Sequence, residues 1–356
     1  MDGLTVNLNG QRKQKPTDQT KLGFGEIFTD HMFMMDYNAD LGWHNAQILP
    51  YGPIPMEPAL LTLHYGQTIF EGLKAYKSPQ GKTLLFRPKD NFLRLNTSAE
   101  SVCIPAIDVD FALDSLKELV RIESEWIPSA PDTSLYIRPF IFATDSVLGV
   151  RVSGSYKFII VLSPVGAYYP KGFAPVGIYV EDNFVRAVRG GLGEAKTAAN
   201  YAASLRAGEF AKSKGFAQVL WLDAVERKYI EEVGSMNIFF KIKGELITPS
   251  LESGSILKGI TRDSIMKLAT SMGIPVSERK IAIDEIIDAS KTGDLEEVFG
   301  SGTAAVISPV NELYWKGNSI KIQDGQMGKF TKTAYDTLTG IQFGRLEDPF
   351  GWVVEL

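Results

Sequence analysis

Arg189-Gly190-Gly191-Leu192-Gly193-Glu194-Ala195-Lys196-Thr197-Ala198-Ala199-Asn200-Tyr201 is the stretch on which the reading of this chain turns. Its three glycines remove side chains from the backbone, so a bulky group can approach closely. Lys196 follows that turn and opens a run of small residues suited to a helix, with the phenol of Tyr201 five residues on. A lysine in this setting offers an amine nucleophile to a carbonyl group. The same residues also describe a solvated lysine after a surface turn, and the rest of the chain decides between the two.

At 356 residues the chain exceeds the ~250–300 at which single cores stop growing, which predicts two domains. A smaller α/β domain is expected over 1–164. A linker is expected over 165–175, where VGAYYPKGFAP is broken by Gly166, Pro170, Gly172 and Pro175. A larger domain carrying Lys196 follows over 176–356. The net charge of -5, without a dense Lys/Arg run, argues against a nucleic-acid partner or an anionic membrane surface. Cys103 is the only cysteine, so no intramolecular disulfide can form. His31, His44 and His64 are scattered without metal-ligand spacing, and no metal is expected. No run reaches the ~18–20 apolar residues of a membrane span, and the polar N-terminal segment lacks an apolar signal, so a cytoplasmic protein is expected.

Residues 1–22 read as a polar arm with short strand potential, and residues 24–76 as short strands separated by turns such as Asn38-Ala39-Asp40. Lys89–Ile104 has helical spacing after Pro88. Asp110–Ser124 is an amphipathic helix with Phe111, Ala112, Leu116, Leu119 and Val120 on one face and Asp110 as N-cap. Strands are expected at Ser134–Ala143, Lys157–Pro164, Val176–Glu181, Gln218–Asp223, Tyr229–Glu232 and Asn237–Ile242. Lys243-Gly244-Glu245 should turn the last of these into Leu246–Thr248. Helices are expected at Tyr201–Ser213, Thr261–Met272, Ile283–Lys291 (capped by Asp284) and Lys329–Leu338. Short strands should fill Glu297–Phe299, Ala304–Ser308 and Asn311–Trp315. The fold class is therefore α+β or α/β in two domains.

Pyridoxal phosphate requires a lysine for its aldehyde, an acid facing its pyridine nitrogen, donors for its phosphate and a polar group near its phenolic oxygen. Glu232, in Glu231-Glu232-Val233-Gly234-Ser235-Met236-Asn237, is the candidate acid. Adjacent carboxylates also suit a solvated edge, and strand alternation lets only one of the pair point inward. Two phosphate cradles are visible. Lys258-Gly259-Ile260-Thr261-Arg262 precedes a helix whose N-terminal N–H groups can face an anion. Gly300-Ser301-Gly302-Thr303-Ala304 can form a nest of N–H groups, with the Thr303 hydroxyl beside it. Arg94 can complete such a site or serve as a surface ion pair. The nucleotide fingerprints fail: Lys196 replaces the third glycine after Gly191-Leu192-Gly193, and Tyr76 replaces the first glycine ahead of Gly81-Lys82-Thr83.

These pieces occur in one order: Phe28-Thr29-Asp30-His31-Met32, Leu63-His64-Tyr65-Gly66, Phe70-Glu71-Gly72-Leu73-Lys74-Ala75-Tyr76, Leu135-Tyr136-Ile137-Arg138-Pro139, Leu148-Gly149-Val150, Pro164-Val165-Gly166-Ala167-Tyr168, Lys196 to Tyr201, Glu232 to Asn237 and Phe299 to Ala305. The set resembles the branched-chain amino acid aminotransferases, pyridoxal-phosphate enzymes of fold type IV, from about Phe24 to Trp315. The resemblance implies a homodimer with shared active sites and a C-terminal pseudo-barrel domain. It implies transfer of the amino group of leucine, isoleucine or valine to 2-oxoglutarate. Lys196 would hold the cofactor and shuttle the proton, Glu232 would meet the pyridine nitrogen, and Tyr201 the phenolic oxygen. Arg94, Ile260, Thr261 and Thr303 would bind phosphate. Phe24, Phe70, Tyr136, Ser235, Thr303 and Ala304 would line the substrate pocket. Tyr65, Leu148 and Val150 would reach the neighbouring subunit's site, and Arg138 would meet the side-chain carboxylate of glutamate.

Two positions depart from the family pattern. Ala305 and Ser308 stand where mammalian members carry a redox-active Cys-x-x-Cys, and Ser235 stands where threonine is frequent. D-Amino-acid aminotransferases and aminodeoxychorismate lyases share the lysine and the acid, but are usually shorter and lack the Phe-Thr-Asp-His-Met region. A non-catalytic binding protein of the same fold is the remaining alternative, and its sign would be loss of Lys196 or Glu232; both are present.

Overall fold

The computed structural model describes residues 3–8, 10, 12–166, 173–322 and 325–356. Most of the expected linker therefore lies outside the described residues. Two compact units emerge, each with its own core. The first comprises Met1–Tyr168, Ala195–Ala198 and Gly340–Leu356, and the second Tyr169–Glu194 and Ala199–Thr339. The expected boundary at 176–356 is corrected at two places. The C-terminal segment joins the first unit because Val353–Glu355 pairs antiparallel with Leu84–Phe86. Ala195–Ala198 joins it because Phe70 N donates to Lys196 O at 3.0 Å and Ile69 bridges Thr197. These additions reverse the expected order of sizes.

In the first unit a nine-stranded sheet runs Thr5–Val6, Gly42–Pro50, His31–Asn38, Ser155–Val165, Ser134–Ala143, Leu73–Lys77, Thr83–Phe86, Val353–Glu355, with Thr68–Phe70 paired to Ser134–Ala143. The arm within 1–22 is anchored on this sheet: Thr5–Val6 pairs in parallel with Gln47–Ile48, and Lys13 Nζ donates to Thr29 O at 2.8 Å. Two helices cover one face, Pro88–Ser101 and Val109–Ile122. Ala112, Leu116, Leu119 and Val120 are buried as their spacing predicts, each large side chain contributing roughly 1.5–3 kcal/mol. The cap of the second helix is Asp108, not Asp110. Asp108 Oδ1 accepts from the N–H groups of Asp110 and Phe111, and Asp110 sits in the first turn.

The second unit has its own nine-stranded sheet, ordered Ile230–Val233, Gln218–Leu222, Val176–Glu181, Val306–Trp315, Leu295–Gly302, Asn237–Ile242, Glu245–Pro249, Val276–Arg279, with Asn318–Lys321 paired to Val306–Trp315. Lys243 and Gly244, both at positive φ, make the expected hairpin turn. The two strands expected at Ala304–Ser308 and Asn311–Trp315 are one, Val306–Trp315. Pro309 is accommodated within the ladder opposite Phe299. The helix Ile283–Thr292 is preceded by Ala282 and has no side-chain cap, so Asp284 is a first-turn residue favourable to the dipole and not the cap.

Candidate active site

The lysine lies in the first unit, just before Thr197, which forms an isolated bridge to Ile69. Its N–H donates to Ser98 Oγ at 2.9 Å, its carbonyl accepts from Phe70, and Thr197 Oγ1 donates to Thr68 O at 3.0 Å. Lys196 Nζ stands 4.8 Å from the centroid of the Phe70 ring, and the Arg138 guanidinium carbon stands 4.7 Å from the same centroid. Arg138 Nη2 donates to the Tyr136 hydroxyl at 2.9 Å, and Tyr136 packs on Phe24 at 4.9 Å between ring centroids. The strand Ser134–Ala143 explains this grouping: Tyr136 and Arg138 are two residues apart and share a face. Phe24, Phe70, Tyr136, Arg138 and Lys196 thus form one cluster within the unit. The Nε of Arg138 is buried and has no hydrogen-bond partner.

Arg94 is not a surface ion pair. Its Nε and Nη2 donate to the two oxygens of Glu71 at 2.7 and 2.8 Å, and Glu71 is fully buried. Burial alone would raise the Glu71 carboxyl, but Arg94, Lys196 and Asn91 override it and hold the group below the usual carboxylate range. Asn91 Nδ2 and Gly72 N complete its coordination. Gly72 itself is required, because a Cβ there would strike the Tyr136 hydroxyl. Glu71 and Ser98 escaped the sequence reading. Glu71 stood inside a recognised motif, and its register beside Phe70 was the available signal.

Tyr65, Leu148 and Val150 form a separate, exposed corner of this unit. Their exposures are 44%, 66% and 80%, with Leu63 and Val152 exposed beside them in sequence. The Tyr65 hydroxyl donates to Leu148 O and ties the two segments together.

In the second unit Glu231 and Glu232 are both buried, which corrects the expectation of one solvated carboxylate. Alternation does turn them to opposite faces of Ile230–Val233, but both faces are covered. Glu232 Oε1 accepts from Leu257 N at 2.8 Å, and its Oε2 lies 3.2 Å from Arg186 Nε. That contact is an ion pair without hydrogen-bond alignment. Glu231 Oε1 accepts from Ser255 Oγ, its Oε2 has no hydrogen-bond partner, and burial raises its carboxyl above the ordinary value.

The segment after Ser255 leads into the first phosphate cradle. Asn237 Nδ2 donates to Leu257 O at 2.9 Å, and Gly259 passes so close to Asn237 that a Cβ would collide with its side chain. The helix Ile260–Ser271 starts there with no side-chain cap on Gly259. First-turn N–H groups point along a helix axis, as an anion site needs, and here they include those of Ile260 and Thr261. The second cradle is corrected. Gly300–Gly302 belong to the strand Leu295–Gly302, and only Thr303–Ala305 form the turn. Those glycines serve packing, since a Cβ on Gly300 would fall 2.9 Å from Val233 and 3.0 Å from Met236. Ser235 lies at the turn between Ile230–Val233 and Asn237–Ile242. Tyr201 lies near the start of the helix Ala198–Ser213.

The donor set fits pyridoxal phosphate. Taken unit by unit, the first offers a lysine backed by an aromatic ring, and the second a buried carboxylate paired with an arginine and a helix N-terminus without a side-chain cap, each a kind of group that pyridoxal phosphate calls for. The histidines have structural partners: His31 pairs with buried Glu123, His44 Nδ1 with Gly42 O, and His64 Nε2 with Pro58 O. Among the described residues no helix is long and apolar enough to cross a membrane.

Residues 68–313 match the family model of amino-transferase class IV, and the chain belongs to that family of enzymes. It is 58% identical over 353 residues to branched-chain-amino-acid aminotransferase 2 of Bacillus subtilis, covering 99% of this chain and 97% of that one. The branched-chain amino acid aminotransferase of Escherichia coli superposes with a TM-score of 0.77 at 30% identity, over 91% of this chain and 98% of that one. The T.th. enzyme of the same name, solved with pyridoxamine 5'-phosphate, gives 0.76 at 25% identity, over 91% and 97%. Within class IV the chain is thus a member of the branched-chain amino acid aminotransferases, the family its motifs resemble.

Proposed function

We propose that this chain transfers the amino group of leucine, isoleucine or valine to 2-oxoglutarate with pyridoxal phosphate as cofactor, and that it works as a homodimer in the cytoplasm. The observation that carries the reading is the Phe70 ring bracketed by Lys196 and Arg138, with a buried, unpaired N–H on Arg138. An aliphatic side chain finds aromatic walls there, from Phe70, Tyr136 and Phe24. A side-chain carboxylate finds a guanidinium already held by Tyr136.

When bound, pyridoxal phosphate supplies an electron sink for the charge developing at the substrate Cα. Lys196 would hold the cofactor through its amine and would move the proton at the substrate Cα. Glu232 would meet the pyridine nitrogen, and Tyr201 would hydrogen-bond the phenolic oxygen. Arg94, the N–H groups of Ile260 and Thr261, and the Thr303 hydroxyl would hold the phosphate. Ser235, Thr303 and Ala304 limit the substrate side chain. Tyr65, Leu148 and Val150 complete the partner subunit's site, a role supported by the exposure of these large apolar groups. The cytoplasmic setting is consistent with a chain whose single cysteine, Cys103, cannot form an intramolecular disulfide.

A panel of amino donors with 2-oxoglutarate tests the reading. Leucine, isoleucine and valine should all yield glutamate, with rates that differ little, because one methylene is worth only ~1–3 kcal/mol in such a pocket. Turnover of D-alanine in preference to these three would overturn it. A solution mass of one chain would overturn the dimer.

A further inference from the structure

We infer that Arg186 is a positioning residue for this reaction, joining the carboxylate of Glu232 to the backbone that leads to Lys196. The inference rests on the reading in which Glu232 meets the cofactor ring.

Arg186 is buried and carries three connections. Its Nε lies 3.2 Å from Glu232 Oε2, and its Nη2 donates to Gly193 O at 2.8 Å and also to Ser255 O. Gly193 and Ser255 touch through their main chains. A Cβ on Gly193 would sit 2.5 Å from Ser255 Cα and 2.6 Å from its carbonyl carbon. Arg186 therefore closes a contact that no side chain at 193 can share, three residues ahead of the lysine.

Ser255 turns its hydroxyl to Glu231, and Ser253 Oγ lies 2.7 Å from that hydroxyl. Glu232 thus pairs with the guanidinium directly, while Glu231 reaches it only through Ser255. A planar fork can serve an oxygen on one side and two carbonyls on another, which a single ammonium cannot. Without the guanidinium, burial would favour a neutral Glu232. A neutral Glu232 would act like a glutamine. Arg186 should accordingly matter through Glu232, and not in proportion to the contacts it loses.

Holoenzyme variants test this: Glu232→Gln, Arg186→Met, Arg186→Lys, and each arginine variant combined with Glu232→Gln. The readouts are the pH dependence of the bound cofactor's visible absorbance, kcat and KM for leucine, and the thermal midpoint. Arg186→Met should reproduce the absorbance profile of Glu232→Gln and lower kcat by about tenfold or more, with KM nearly unchanged. Added to Glu232→Gln it should lower kcat no further, since groups acting as a unit are not additive. Arg186→Lys keeps the charge, so it should preserve the absorbance profile while lowering the thermal midpoint. Losses that multiply, or an Arg186→Met enzyme that is merely less stable with an unaltered profile, would overturn the inference. If Arg186→Met does not fold, Arg186→Gln, which keeps hydrogen-bond donors and removes the charge, takes its place in the same comparison. A Glu232→Gln enzyme indistinguishable from the parent would instead overturn the role of Glu232, and the inference with it.

Discussion

Lys196 Nζ lies 4.8 Å from the centre of the Phe70 ring, and the same two residues are joined in the backbone by the hydrogen bond from Phe70 N to Lys196 O. The lysine is thus fixed at both ends of its side chain by one neighbour. Phe70 also backs Arg138, so the amine proposed to hold the cofactor and the cation proposed to select the substrate share one neighbour.

Lys196→Ala should abolish the visible absorbance of the lysine-bound cofactor and nearly all transamination. The control is Lys74, a buried lysine whose ammonium burial lowers to about 8. Lys74→Met should keep the colour. A yellow, active Lys196→Ala enzyme would assign the cofactor to another lysine.

Glu232→Gln should retain the cofactor but slow deprotonation at Cα by several orders of magnitude, because an amide cannot balance a charged ring nitrogen. Glu231→Gln should leave turnover within a few-fold, and its effect should appear in stability. Burial raises the Glu231 carboxyl, so the folded chain holds that proton to higher pH than the unfolded chain does. The stability it contributes is complete below the unfolded value and is lost as pH rises through the folded value. The amide escapes this loss, so the thermal midpoint of Glu231→Gln relative to the parent should rise with pH across that window. A constant difference would show that Glu231 titrates alike in both states.

Gly72→Ala tests the support of the substrate cluster. The added methyl strikes the Tyr136 hydroxyl and lies 3.0 Å from its ring carbon, and that hydroxyl accepts the bond from Arg138. Overpacking of this kind costs ~1–3 kcal/mol. Stability should fall by that amount and KM for glutamate should rise. Adding Tyr136→Phe removes the struck atom and should recover most of the stability. Failure to recover it would mean that the strain lies elsewhere.

Much of this architecture was legible because period and punctuation agree. Ser134–Ala143, Val176–Glu181 and Asn237–Ile242 are strands with the bounds expected from sequence. Local patterns misled where the deciding partner is far away in sequence. Gly300–Gly302 looks like a loop, yet pairs on both sides with strands that need its missing side chains. Adjacent Glu231 and Glu232 look solvated, but Ser255, Leu257 and Arg186 bury both. Val353–Glu355 carries no signal for its pairing with Leu84–Phe86, about 270 residues earlier by the chain numbering. Lys196, Glu232 and the aromatic cluster were readable as residues; Glu71, Ser98 and Arg186 hold the proposed site residues Arg94, Lys196 and Glu232, and only Glu71 had a sequence signal, its place in the Phe70 motif.

Arg138 gives the sharpest test of dual substrate recognition. Leucine brings no side-chain charge, whereas glutamate brings a carboxylate that must be paired once it leaves water. Arg138 Nη2 is held by the Tyr136 hydroxyl, and its Nε is buried without a hydrogen-bond partner. The guanidinium is thus fixed in place by one donor while another is unspent. A charge-assisted hydrogen bond is worth ~1.5–3 kcal/mol, or about tenfold to a hundredfold in binding. Arg138→Met retains apolar bulk against Phe70 and removes the charge. It should weaken glutamate and 2-oxoglutarate by that factor and leave leucine and its oxo acid nearly unchanged. The measurement is kcat/KM for each half-reaction, taken separately by single-turnover spectroscopy. An equal loss for both substrate classes would mean that Arg138 serves only to order Phe70 and Tyr136, and that the carboxylate is recognised by another group.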